Sequence, residues 1–311
     1  MANHFDYLID KIYSARFKSS PFKHLLIDDF INETDFREII KSKYISTNNF
    51  SSHEEMFESL YSHGYKVQSF PGCINSEKDY MEFINSGKFK SNLVKDYGKD
   101  IIESYGMSLI LQSKNEPILN ELEAFVKSQD FFNCLIEKFS ISKKTYIETG
   151  IQKYLTGYEI SPHPDSRRKA LTYMLNLNPS SVSEEMDIHT QLMRFKDKYK
   201  YIYDLWKFNQ DIDRCWVPWS WCDRVQNTNH NNSIIIFKPS NKSMHAVHLE
   251  YDHLEFQRTQ LYGNLWYREK NSRKSNLMDL DILSRHEFNN SKSYKNIILS
   301  KIINFLYSHR D

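Results

Sequence analysis

Two histidines and one aspartate carry the strongest chemical signal in this sequence. His163 and Asp165 are two residues apart, and His245 follows about eighty residues later. Residues i and i+2 of a β-strand point to the same face, so His163 and Asp165 can reach one metal ion. Two imidazoles and one carboxylate can fill three adjacent corners of an octahedron and leave three open, as is typical of non-heme Fe(II) sites.

The same residues also have less specific interpretations. A single His-x-Asp triplet is weak evidence for a metal site, and Pro164 within it is compatible with a turn or a strand edge. Two other histidines, His248 and His253, lie close to His245 in the sequence. His248 is an odd step from His245, so on a regular strand it points to the opposite face. We expect surface or supporting roles for both, and a structural role for His189.

The second half of the chain has the pattern of a β-protein. From Thr145 onward, short runs rich in β-branched and aromatic residues alternate with turn signals. The predicted strands are 145–154, 157–163, 169–177, 188–195, 233–238, 244–251 and 256–267. This pattern predicts an α+β protein built on a double-stranded β-helix, the jelly-roll or cupin-like barrel, with N-terminal helices packed on it.

The composition divides the chain into three parts. We expect a mainly helical part at 1–144, a barrel at 145–270 with a flap insertion at 196–230, and a C-terminal helical tail at 271–311. Residues 90–113 of the first part are predicted to be helical. The insertion contains three tryptophans that could cover one end of a barrel. The tail contains an amphipathic helix over 294–307, which either packs on the N-terminal helices or mediates a homodimer.

Charge and cysteine usage exclude several classes of partner. The 311 residues include 41 Lys and Arg against 40 Asp and Glu, so no overall basic field attracts nucleic acid or a membrane surface. The four cysteines form no Cys-x-x-Cys pair, which argues against a structural zinc site. With no secretory segment at a polar N-terminus and no apolar run of ~18 residues, we expect a cytoplasmic protein with reduced thiols.

Flanking residues extend the metal motif into a longer pattern. The first half contains Tyr154-x-x-Gly157, His163-x-Asp165, Thr172 and Leu177-Asn178, and the second half contains Phe237-x-Pro239-Ser240, Ser243-x-His245-x-Val247 and Arg258. In these motifs the chain resembles the iron(II)- and 2-oxoglutarate-dependent dioxygenases, in particular the prolyl-4-hydroxylase-like branch. The resemblance covers about residues 20–270 and does not extend into the tail.

The resemblance implies a set of site residues. His163, Asp165 and His245 would be the iron ligands, and Arg258 would bind the distal carboxylate of 2-oxoglutarate. Around the co-substrate, Tyr154, Thr172 and Asn176 would be hydrogen-bonding residues, together with Gln260. Asn176 stands where the family has a tyrosine, and Gln260 stands where it often has Ser or Thr. The implied cofactors are Fe(II), 2-oxoglutarate and O2, and ascorbate is compatible with them.

The expected activity is hydroxylation of an unactivated C–H bond in a small or medium-sized metabolite, amino acid or sugar. Hydroxylation of peptidyl proline or another protein side chain is the first alternative. The departures at Asn176 and Gln260 leave open a non-catalytic metal-binding jelly-roll module. A zinc hydrolase ranks last because it leaves Arg258 unexplained. The basic run Arg167-Arg168-Lys169 could meet an anionic substrate, but such a run is more often a solvated turn, and that interpretation is preferred.

Overall fold

The computed structural model describes residues 3–46, 49–69, 73–87, 106–209 and 215–268, apart from the side chains of residues 202 and 203. The predicted C-terminal tail at 271–311, its helix and the dimer assigned to it lie outside these residues and stay predictions. No helix within the described ranges is long and apolar enough to cross a bilayer.

Seven α-helices are present in the described part of the chain. They are α1 (Tyr7–Ser14), α2 (Glu33–Lys41), α3 (His53–Ser62), α4 (Glu77–Asn85), α5 (Pro117–Val126), α6 (Gln129–Lys138) and α7 (Lys200–Phe208). Several begin where the sequence supplies a capping side chain. Asn32 accepts the Asp35 N–H ahead of α2, and Ser128 accepts the Phe131 N–H ahead of α6. Pro117 opens α5, where its missing N–H costs nothing.

Within the described residues, eleven strands form two antiparallel sheets. The strands are β1 (His24–Ile27), β2 (Tyr65–Val67), β3 (Ser108–Leu111), β4 (Thr145–Tyr154), β5 (Glu159–His163), β6 (Lys169–Asn176), β7 (Gln191–Phe195), β8 (Cys222–Asn227), β9 (Ile234–Phe237), β10 (His245–His248) and β11 (Arg258–Tyr267). The larger sheet has the order β1-β9-β6-β11-β4-β3-β2, and the smaller has the order β5-β10-β7-β8. The expected mixture of helices with antiparallel sheets is therefore confirmed.

The long strands β4 and β11 separate the hydrophobic core from a polar cavity. They pair along their full lengths, with Tyr154 opposite Arg258 and Gln152 opposite Gln260. Because side chains alternate along a strand, these four residues share one face. The opposite face carries residues such as Ile151, which is buried in the core cluster together with the N-terminal helices.

The N-terminal part contributes strands as well as helices. β1 pairs with β9, and β3 pairs with the end of β4, where Ser108 lies opposite Tyr154. The helix predicted over 90–113 is therefore wrong at Ser108–Leu111, and residues 90–105 of that range lie outside the described residues. A short apolar run cannot be assigned to helix or strand by periodicity alone, and here pairing with β4 decides the outcome.

The insertion at 196–230 packs against the smaller sheet and shares a small hydrophobic cluster with it. It contains α7 and β8, and β8 pairs with β7. Its cluster consists of Met193, Trp206, Cys215, Val217, Cys222, Met244 and Ala246, with Trp219 and Trp221 packed against it. Trp216 stacks on His163 with ring centroids 6.4 Å apart, so the insertion contacts the candidate metal ligands directly.

Candidate metal centre and cavity

The structure brings His245 together with His163 and Asp165, from which it is about eighty residues away in the sequence. His163 ends β5 and His245 begins β10, and the two residues lie opposite each other in the ladder. Their ring centroids are 4.3 Å apart. One ligand atom from each histidine and one from Asp165 all lie within 4.8 Å of one another. This spacing can place three donors around a single ion.

Hydrogen bonds fix the tautomer of both imidazoles. The Nδ1 atom of His163 lies 2.8 Å from the Ser161 carbonyl oxygen, and that of His245 lies 2.9 Å from the Ser243 carbonyl oxygen. A carbonyl oxygen can only accept, so each Nδ1 carries the proton and donates it. Each Nε2 therefore keeps a free lone pair, which is the form that binds a metal.

The Asp165 carboxylate is held from both sides. Its Oδ1 accepts from the Lys169 ammonium at 2.7 Å, and its Oδ2 accepts from the Thr172 hydroxyl at 2.6 Å. Oδ2 also lies 3.9 Å from Nε2 of His245. Since the side chain is buried, these contacts orient the carboxylate before any ion binds.

The three side chains have the protonation states that metal binding needs. Burial lowers the pKa of His163 to about 3, and the neighbouring His245 ring acts in the same direction. Burial also lowers the pKa of His245. For Asp165, burial alone would raise the pKa, but the Lys169 ammonium and the two imidazoles hold it below its usual range. At neutral pH the site therefore offers two neutral imidazoles and one carboxylate.

A cavity of about 230 Å³ contains the three candidate ligands. It lies between the two sheets, because residues of β4, β6 and β11 line one side and residues of β5 and β10 line the other. The polar lining consists of Gln68, Gln152, Tyr154, Tyr158, His163, Asp165, Lys169, Thr172, Tyr173, Thr190, His245, Arg258, Gln260, Tyr262 and Asn264. A polar molecule would find hydrogen-bonding groups on several sides.

Arg258 is a buried cation in this cavity without a protein counter-ion. The residue is 1% exposed, and among the described residues no carboxylate oxygen lies within 4.0 Å of its guanidinium. Its Nε has no hydrogen-bond partner, and one terminal nitrogen lies 3.5 Å from the Thr190 hydroxyl. Its central carbon lies 4.9 Å from the centroid of the Tyr154 ring. An unpaired buried guanidinium calls for an anionic ligand.

Of the other residues predicted to bind the co-substrate, three line the cavity and one does not. Tyr154 and Gln260 line the cavity with Arg258. Thr172 also lines it, but its hydroxyl donates to Asp165. Asn176 is not among the lining residues, since its amide nitrogen donates to the backbone carbonyls of residues 228 and 230, and its oxygen accepts from Gln260. Asn176 therefore supports a loop and the Gln260 side chain.

The three other histidines considered in the sequence, His189, His248 and His253, lie outside the cavity lining. His248 pairs with Glu159 at 3.0 Å, and the His253 ring lies 5.0 Å from that of His53. The buried His189 donates from Nε2 to the Ser183 carbonyl. These contacts agree with the supporting and structural roles predicted for them.

Sequence reasoning missed several residues that line the cavity. Lys169 was assigned to a solvated turn, which is wrong, because its side chain is only 18% exposed and contacts Asp165. Its position four residues after Asp165 was the available signal. Gln68 and Gln152 hydrogen-bond to each other at the cavity wall. No motif marks Gln68, which comes from the N-terminal part of the chain.

The sequence matches no protein-family model and no curated protein. Similar solved structures include a Pseudomonas putida prolyl-4-hydroxylase, with a TM-score of 0.43 and 10% identity over 85% of this chain and 99% of that chain. A 2OG-Fe(II) oxygenase family protein from Burkholderia pseudomallei has a TM-score of 0.31 and 11% identity over 74% of this chain and 98% of the other. HygX from Streptomyces hygroscopicus, solved with nickel, 2-oxoglutarate and hygromycin B, has a TM-score of 0.30 and 9% identity over 75% and 95%.

These neighbours are prolyl-4-hydroxylase-like and 2OG-Fe(II) oxygenase structures, the family that the sequence motifs resemble. Identities near one residue in ten and TM-scores of this size carry no argument about activity. The inference of function therefore depends on the geometry of the cavity.

Proposed function

We propose that this protein is an Fe(II)- and 2-oxoglutarate-dependent oxygenase that hydroxylates a C–H bond. The observation that carries the proposal is that one cavity contains both a metal site that requires further ligands and a cation that requires an anion. His163, Asp165 and His245 supply a three-donor metal site, and Arg258 supplies a buried cation that has no counter-ion among the described residues. A dicarboxylate that also binds the metal would satisfy both requirements at once.

Each residue then has a defined task. Bound in this cavity, Fe(II), O2 and 2-oxoglutarate supply the oxidising chemistry, in which 2-oxoglutarate becomes succinate and CO2 while a substrate C–H becomes C–OH. The triad would hold the metal and leave three positions open. Arg258 would orient the co-substrate through its distal carboxylate, and Thr172 would fix the Asp165 oxygen that faces His245.

We infer that the two antiparallel sheets are the two halves of a jelly roll. Three observations support this inference: the cavity lies between them, β5 and β10 carry the histidines, and β11 carries Arg258. Side chains carried by strands are held more precisely than side chains on loops.

The size of the cavity favours a small substrate. Its volume of about 230 Å³ lies below the ~300–1,000 Å³ usual for sites that enclose drug-sized ligands. The co-substrate would take part of that space. A metabolite or an amino acid therefore fits better than a bulky chain segment, and a protein side chain remains the alternative substrate.

Succinate formation tests the proposal directly. The protein is incubated with Fe(II), 2-oxoglutarate and air, and we expect succinate to accumulate, with none formed without oxygen. Asp165→Ala should abolish it, since it removes the only carboxylate donor of the triad. Asp197→Ala is the matched control, because that carboxylate is 89% exposed and pairs with Lys200 on the surface. A non-catalytic module would form no succinate, and a zinc hydrolase would need neither ketoacid nor oxygen.

A further inference from the structure

Lys169 presents a second cation to the cavity, on the metal side. It begins β6 and lines the cavity, with its side chain 18% exposed. Its ammonium donates to Oδ1 of Asp165 at 2.7 Å and lies 5.4 Å from the centroid of the Trp266 ring. An ammonium has three N–H donors. Among the described residues, Asp165 is the one acceptor for them.

Once a divalent metal is bound, keeping Asp165 ionised does not require the Lys169 charge. Thr172 already donates to the Asp165 oxygen that faces His245, at 2.6 Å. A neutral donor in place of Lys169 would hold the other oxygen without adding a cation to a largely buried space. The remaining two donors of Lys169 therefore point to a ligand that enters the cavity.

The charges of the loaded cavity indicate what that ligand is. Its charged lining residues are Asp165, Lys169 and Arg258, and each histidine would bind the metal as a neutral imidazole whose Nδ1 proton is donated to a backbone carbonyl. A divalent metal, Arg258 and Lys169 together outweigh Asp165 and a 2-oxoglutarate dianion by one positive charge. A ligand with one negative charge would neutralise the cavity, whereas a dianion would reverse its sign.

We propose that Lys169 selects the substrate, and that the substrate is a small molecule with a carboxylate that pairs with this ammonium. The proposal rests on the proposed function, because the charge count includes the metal and 2-oxoglutarate. Lys169 is then a specificity residue. It would hold the carboxylate close to the metal and orient the adjoining carbon chain towards it. A charge-assisted hydrogen bond of this kind distinguishes an acid from its neutral amide by about tenfold or more.

Butyrate and butyramide are suitable probes because they have nearly the same shape and differ in charge. The protein is loaded with Co(II) and saturating 2-oxoglutarate without oxygen, and the paramagnetic relaxation of the methyl protons of each probe is measured by NMR. We expect butyrate to be relaxed at least ~10-fold more than butyramide at equal concentration. Lys169→Met should reduce the effect on butyrate to that on butyramide, and Lys169→Arg should keep part of the preference.

Lys127→Met is the matched control. Lys127 also pairs with a carboxylate, that of Glu123, but it is 52% exposed and lies outside the cavity lining. The Lys127→Met substitution should leave the preference for butyrate unchanged. Equal relaxation of the two probes by the wild-type protein would overturn the proposal, even if Lys169→Met failed to fold. Undiminished relaxation of butyrate by Lys169→Met would also overturn it.

Failure of the proposed function has a separate signature. If 2-oxoglutarate does not change the visible absorption of the Co(II)-loaded wild-type protein, the co-substrate does not bind beside the metal. That result would end the oxygenase proposal before any probe is added. A normal response to 2-oxoglutarate without a preference for butyrate would end only the inference about Lys169.

Discussion

Two buried cations lie side by side in the β4–β11 pair and face opposite ways. Arg258 is opposite Tyr154 and points into the cavity, and Lys153 is opposite Thr259 on the face towards the core. Both residues are almost completely buried. The Lys153 ammonium donates to the Ile45 carbonyl and to the Thr259 hydroxyl, each at 2.9 Å. Arg258 has an unpartnered Nε and no such pair of acceptors.

The difference shows how to tell a structural charge from a binding charge. A buried lysine can lose its proton, and burial lowers the pKa of Lys153 to about 7, so much of its cost disappears at neutral pH. A guanidinium keeps its proton at every physiological pH. Arg258 therefore stays charged without an internal partner, and that charge is explained by a ligand that arrives from outside.

The largest expected effect comes from removing the Arg258 guanidinium, the charge that we assign to ligand binding. Arg258→Met should weaken 2-oxoglutarate binding by about 100-fold or more, because the co-substrate carboxylate would be buried without its partner. Titration of the Co(II)-loaded protein with 2-oxoglutarate, followed by visible absorption, measures the change. Metal affinity should be retained, since Arg258 is not a ligand.

The stability of Arg258→Met is a second test of whether Arg258 serves binding or structure. Replacing an unpaired buried charge by an apolar side chain is often neutral or stabilising, so Arg258→Met should not lower the free energy of unfolding. Arg194→Met, an exposed arginine that contacts Ser20, is the control for the loss of a guanidinium. Unchanged affinity for 2-oxoglutarate, or a large loss of stability, would mean that Arg258 is structural as well.

Removing the buried amine of Lys153 should change how the free energy of unfolding depends on pH. Between the folded pKa of about 7 and the usual lysine pKa of 10.5, the unfolded chain binds a proton at Lys153 that the folded protein has released. Wild-type stability should therefore rise with pH across this window relative to Lys153→Met, by at most about 4–5 kcal/mol. Urea unfolding of both proteins at pH 6.5, 8 and 9.5 measures the difference.

The Lys153 experiment shows whether the buried amine loses its proton on folding or stays charged. The exposed Lys66 on β2 provides the control, and Lys66→Met should leave the pH dependence parallel to that of the wild type. If Lys153→Met also runs parallel to the wild type, the ammonium stays charged when buried. Lys153 would then resemble Arg258, and the distinction between the two faces would fail.

Local patterns predicted the strands of the site better than its contacts. The predicted strands at 157–163 and 244–251 contain the observed Glu159–His163 and His245–His248. Alternation and turn residues specify such elements locally. That His163 and His245 lie opposite each other is a property of the ladder between distant segments, and the sequence supported it only through the resemblance to a family.

Other features depend on contacts that no local pattern encodes. β8, at Cys222–Asn227, was not predicted, and most of its residues are not buried, so it lacks the apolar alternation of a core strand. The expected role of Asn176 at the co-substrate ignored the backbone carbonyls of residues 228 and 230, which take up its amide. Lys169 looked like a surface residue until the position of Asp165 was known.

The smallest expected effect tests how Tyr154 supports Arg258. Its hydroxyl donates to Gln152, while its ring lies beneath the guanidinium. Tyr154→Phe keeps the ring and should weaken 2-oxoglutarate binding by no more than about fivefold. Tyr154→Leu also removes the cation–π contact and should weaken binding further. Tyr146→Phe, on the same strand but 48% exposed, is the control. A loss in Tyr154→Phe as large as that in Arg258→Met would mean that the hydroxyl turns from Gln152 to the co-substrate, as the sequence predicted.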